Sequence, residues 1–160
     1  MKFLIYIFLF LFVGNLYSQN CPCAISYHSP EWVQRVKQLK KGIYYGNLVD
    51  SLPQFTTTKC KNPTYLESCF YEYIYTHLPA FDAFNMPEKV ADTVVRIGFI
   101  VKKDGSISDA KVVHSTVVPS WDIACLSAVK KCPKFVSPAK IKNVPVDYYC
   151  EVGFYEIRIY

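Results

Sequence analysis

The chain predicts an α+β fold: a three-stranded antiparallel-type sheet in the order second, first, third, two helices on one of its faces, and a helical N-terminal extension. Three observations carry this. Val95, Ile97, Phe99 and Val101 alternate with Arg96, Gly98 and Lys102, and the alternation resumes at Ile107 after the turn residues Asp104-Gly105, which marks a β-hairpin. Two stretches with apolar residues at helical spacing stand on either side of that hairpin. Residues 146–160 alternate again as one long strand.

At 160 residues there is room for one domain and a tail. The formal charge of +5 is modest and dispersed, and no basic run interleaved with aromatics forms a nucleic-acid groove. Tyr leads the aromatics with 13 copies, and it suits half-wet sheet faces and binding edges.

The first 18 residues read as a signal peptide. Lys2 precedes an apolar run over 3–13, about eleven residues against the ~20 needed to cross a bilayer. Ser18 stands at the cleavage position. This places the chain in the periplasm or cell envelope, the alternative being an uncleaved anchor running to Tyr17. Export would carry all seven cysteines into an oxidising compartment, where some should pair and an odd one is left over. Cys125 and Cys132 lie seven residues apart on one helix, about 10.5 Å, too far to bridge each other.

Residues 19–63 form the extension. Ser29 caps its one helix, Pro30 takes the first helical position, Trp32, Val33, Val36 and Leu39 follow at helical spacing, and Gly42 ends it. Residues 43–52 read as a short strand or irregular segment, and 53–62 as polar loop. The main domain spans 64–160. Thr64 and Glu67 make a capping box for a helix that buries Leu66, Cys69, Phe70, Tyr73, Ile74 and Leu78 and stops at Pro79. After the hairpin, Ser120 caps a helix whose inner stripe is Trp121, Ala124, Cys125, Ala128, Val129 and Cys132. In the last strand, Val146, Tyr148, Cys150, Val152 and Phe154 share one face, with Asp147, Tyr149, Glu151, Gly153 and Tyr155 on the other. A helical connection makes the second and last strands parallel, and a right-handed crossover leaves the first between them. The last strand then becomes an exposed edge.

Two chemical readings are weak. Cys21-Pro22-Cys23 with His28 offers soft-metal ligands, but no second ligand pair stands at a recognised spacing, so no metal or other cofactor is expected. His114 and Ser115 with Asp104 or Asp109 suggest a hydrolase, but neighbouring strand residues face opposite ways, so no catalytic residue is expected.

Taken together, the stretches at 95–101, 104–107, 112–115, 128–130, 135–139 and 144–154 resemble the C-terminal domain of TonB proteins. These are Val95-Arg96-Ile97-Gly98-Phe99-Ile100-Val101, Asp104-Gly105-Ser106-Ile107, Val112-Val113-His114-Ser115, Ala128-Val129-Lys130, Phe135-Val136-Ser137-Pro138-Ala139, and Val144-Pro145-Val146 with Val152-Gly153-Phe154. The resemblance covers residues 64–157. Members couple the inner membrane to outer-membrane receptors, and their last strand pairs with a short receptor segment, the TonB box. It implies a non-enzymatic, protein-binding module whose binding edge is Val146, Asp147, Tyr148, Tyr149, Cys150, Glu151, Val152, Gly153 and Phe154. The implied partner is an extended outer-membrane receptor segment, in the setting of TonB-dependent transport. The family's long Pro-rich linker is absent, and no His or Ser within the N-terminal apolar core could serve proton coupling. A second class therefore stays open: a structural envelope module of the same fold, outside energised transport, that forms a homodimer through the edge. The alternative is an edge guarded by Asp147 and Glu151, or covered by the N-terminal region.

Overall fold

A computed structural model describes residues 29–57, 66–79, 94–116 and 118–155. Along the chain these form α1 (Pro30–Lys37), β1 (Ile43–Tyr44), a 3-10 turn at Gly46–Leu48, α2 (Leu66–His77), β2 (Val94–Val101), β3 (Ile107–His114), α3 (Pro119–Lys130), β4 (Ala139–Ile141) and β5 (Val144–Tyr155). Residues 1–18, read above as a signal peptide, and Cys21, Cys23, His28 and the Thr64 cap fall outside the described residues.

The fold is α+β, and its sheet is larger than the sequence predicted. Among the described residues five strands are present, in the order β1-β5-β2-β3, with β4 pairing the start of β5. The predicted three-strand nucleus lies inside it as β3-β2-β5, the hairpin and the last strand both antiparallel to β2. The expectation that β5 is an edge along its whole length is corrected. Residues 144–146 pair antiparallel with β4, and Asp147 and Tyr148 pair parallel with Ile43 and Tyr44 of β1. The reason is local: a tight turn at Lys142 and Asn143, both at positive φ, folds β4 back on β5, and β1 takes the next two positions.

β2 is buried on both faces, so its two sides serve two cores. Val95, Ile97, Phe99 and Val101 enter the main core with Cys69, Phe70 and Ile74 of α2 and Trp121, Cys125, Ala128 and Val129 of α3. Ile100 faces the other way, against Trp32 and Val36 of α1 and Tyr149 of β5. The two predicted helices thus share one face, and the extension helix covers the other. The extension also feeds the main core: Phe55 is fully buried, with its ring centroid 5.2 Å from Phe135 and 5.4 Å from Phe70. The alternation predicted for β5 places Tyr148, Cys150 and Phe154 in the main core, with Tyr149 on the α1 face.

Helix boundaries differ from the sequence reading in two places. α1 is capped by Ser29, whose Oγ accepts from the Trp32 amide at 3.2 Å, but it ends at Lys37 rather than Gly42. Gln38 N donates to Arg35 O and Leu39 N to Val36 O, a tightened last turn that leaves the helical path early. α3 begins at Pro119 with Val118 as its cap residue, not at a Ser120 cap. No side chain caps its first turn; instead the preceding segment is tied down, Thr116 Oγ1 accepting from the Val118 amide and the Asp122 carboxylate from the Thr116 amide and hydroxyl and the Ser115 hydroxyl. Asp122 is 5% exposed, and these donors offset the cost of burying its carboxylate.

Candidate functional site: the outer edge of the last strand

β5 is the longest strand, and its inner side is fully used. Residues 148–155 pair with 101–94 of β2 without a register shift. Its outer side divides at Tyr148. Below that point β4 and β1 occupy it, one antiparallel and one parallel. Above it, among the described residues, no strand pairs with the outer side of 149–155. Of the nine residues predicted as a binding edge, Val146, Asp147 and Tyr148 are therefore already strand-paired on that side. Tyr149, Cys150, Glu151, Val152, Gly153 and Phe154 form the remaining stretch.

Side chains around this edge are held firmly. Glu151, expected as an exposed guard, is 7% exposed and lies under α1. Arg35 grips it with two bonds, Nη2 to Oε1 at 2.6 Å and Nε to Oε2 at 3.1 Å, and the Tyr149 hydroxyl donates to Oε2 at 3.1 Å. Paired planar groups of this kind are the stronger charge-assisted bonds. Burial alone would lower the Arg35 pKa, but the Glu151 carboxylate outweighs it and holds the guanidinium above its usual value. Burial, together with the Glu151 charge, pushes the Tyr149 phenol well up, so it remains a neutral donor. At the lower end, Asp147 takes the Lys102 ammonium and the Lys103 amide. Burial would raise the Asp147 pKa; these donors overcome it and hold the carboxyl below the ordinary value.

On the main-core face the edge is lined by Tyr148, Cys150, Val152 and Phe154. The Cys150 thiol is buried and its pKa is pushed up by desolvation. Cys125 and Cys132 are likewise driven up to about 12, so neither presents a thiolate at neutral pH. These three are free thiols, so Cys125 and Cys132 do not bridge each other, whereas Cys69 is disulfide-bonded.

The metal reading at Cys21, Cys23 and His28 lies outside the described residues. The Ser115 hydroxyl is spent on Asp122, not on His114. Among the described residues no group of three or more His, Cys, Asp or Glu side chains could hold a metal ion. No described helix is long and apolar enough to cross a membrane.

Two parts of the site escaped the sequence. Arg35 and Glu151 are 116 positions apart, and nothing local ties them together. Ile43-Tyr44-Tyr45 did carry a signal, a β-prone triplet between Gly42 and Gly46, but its partner strand was not legible. Comparison with family models, curated proteins and solved structures gives no match for this chain.

Proposed function

We propose that this domain binds an extended polypeptide segment by strand addition to the outer edge of β5, in the manner of the TonB C-terminal domains it resembles, in the periplasm or cell envelope of the exported protein. The partner class is an outer-membrane receptor segment of TonB-box type, and the setting is transport across the outer membrane. One observation supports this most: the same edge already accepts two short strands of opposite polarity, β4 along 144–146 and β1 at Asp147 and Tyr148. An edge that takes strands in either direction is suited to a main-chain ligand.

The energetics are those of a transient contact. Each main-chain hydrogen bond nets about 0.5–1.5 kcal/mol, so four or five give a few kcal/mol before ordering costs. With side-chain burial the expected affinity is on the order of micromolar, about −8 kcal/mol. Calorimetry with N-terminal receptor peptides tests this. N-methylation of alternate peptide amides abolishes binding in one phase of the alternation, while single side-chain truncations change it by less than about tenfold. Equal tolerance of N-methylation at every position contradicts strand addition.

A further inference from the structure

β1 is the shortest strand of the sheet, and its surroundings mark it as a stand-in. It consists of Ile43 and Tyr44, paired in parallel with Asp147 and Tyr148. Gly42 and Gly46 bracket it at φ 92° and 54°, and a Cβ at either would meet nothing within 4 Å. Glycine accepts this left-handed backbone without strain, and the open space lets the chain between the two pivot. Beyond pairing, its attachments are few: Ile43 N donates to Lys40 O at 3.2 Å, and the adjoining Tyr45 ring meets Trp32 edge-on at 5.5 Å. Tyr44 packs at the margin of the main core, Ile43 at the margin of the α1 cluster, and the Tyr148 hydroxyl donates to Gly46 O at 3.3 Å. Neighbouring α1 is anchored independently by Arg35–Glu151 and by Trp32 and Val36, so β1 can leave while α1 stays.

Resting on the strand-addition reading, we propose that β1 is a displaceable placeholder and that the full partner footprint on β5 is residues 147–155. The partner is an extended segment, parallel to β5, that begins with an aliphatic–aromatic pair. β1 itself reveals that preference. The position opposite Asp147 holds an aliphatic side chain on the α1 face, and the position opposite Tyr148 holds an aromatic one against the main core. A nine-residue segment forms more main-chain bonds than the two-residue strand it replaces, which drives the exchange.

The test uses the full mature chain and two nine-residue peptides, Ile-Tyr-Thr-Val-Thr-Val-Thr-Val-Thr and the same peptide beginning Ala-Ala. The first should bind about tenfold tighter, and the amides of Ile43 and Tyr44 should shift together with those of 149–155. Ile43→Ala/Tyr44→Ala weakens the internal competitor and should tighten binding about fivefold. Gly46→Ala, which strains the docked strand without removing a side chain, should act in the same direction and carries the test if the double variant does not fold. Equal affinity for both peptides, or affinity unchanged in the variants while 149–155 still respond, overturns the placeholder and leaves strand addition standing. No response along β5 in any protein overturns both.

Discussion

The sheet has two flanks, and they are built on opposite principles. β3, the terminal strand on one side, is irregular. Its pairing with β2 slips between Arg96 and Ile97 and again between Gly98 and Ile100. At the second slip Asp109 and Ala110 together oppose Phe99, with Asp109 at φ 53°. Asp109, Lys111 and His114 are exposed along it. Bulges and charges of this kind blunt an edge against added strands. β5 is regular throughout its pairing with β2, and its outer side accepts short strands from its own chain. One flank is bulged and charged; the other is regular, with its outer side paired by β4 and β1 up to Tyr148. The lesson is that an edge is read from its regularity and its present occupants rather than from its position in the sheet.

The largest effect should come from the strand that both flanks share. Phe99 is 1% exposed and stacks on Phe70 at a ring-centroid distance of 5.6 Å, while Trp121 of α3 lies in the same core. Truncating either to Ala should cost about 3–5 kcal/mol, against a typical total of ~5–15, and denaturant melts will show it. A loss under about 1 kcal/mol for both would mean that the two flanks do not depend on a common core.

Next comes the support beneath the open edge. Arg35→Ala leaves the Glu151 carboxylate buried without its cation, and an expected cost of about 2–3 kcal/mol allows for the partial exposure of Arg35, below the roughly 3–5 of a fully buried pair. Replacing the pair together, Arg35→Met with Glu151→Leu, should recover most of it. Melts of the single and double variants decide whether this ion pair holds α1 on β5.

A smaller effect is expected on the closed flank. Asp109→Val puts a β-branched residue at positive φ and should cost about 1–2 kcal/mol, whereas Asp109→Gly should be neutral or slightly stabilising. If Val is as stable as Asp there, the bulge is not what shapes β3.

The smallest is acid sensitivity at the lower end of β5. Asp147 has a folded pKa below its unfolded value near 3.8. Its contribution is therefore complete above that unfolded value and is lost as pH falls through the depressed folded one. Lys102→Ala should remove most of this pH dependence, read from urea midpoints between about pH 5 and pH 2.

Much of the fold was legible because it rests on local periodicity. The hairpin, the stripes of α2 and α3 and the alternation of β5 each lie within a few neighbouring residues, and the handedness rule orders the strands. Where reading stopped, the cause was distance along the chain. β1 is two residues long, and its pairing with β5 spans about a hundred positions, so no local pattern could assign it. Glu151 reads as a solvated guard because Arg35, which buries it, lies in a segment that looked separate. Ser120 reads as a cap from its neighbours alone, whereas the helix starts one residue earlier at Pro119 with Val118 as cap residue and no side-chain cap bond. The candidate edge is thus legible as a strand, but the strands that pair with Val146, Asp147 and Tyr148 are not.

The account stands on strand addition to β5, and amide-shift mapping tests it most directly. The labelled chain is titrated with N-terminal peptides of outer-membrane receptors. Shifts and gained exchange protection should concentrate on 149–154 of β5, with β3 unchanged. Shifts confined to β3, the helices or the Asp104-Gly105 turn, with β5 silent, would contradict it.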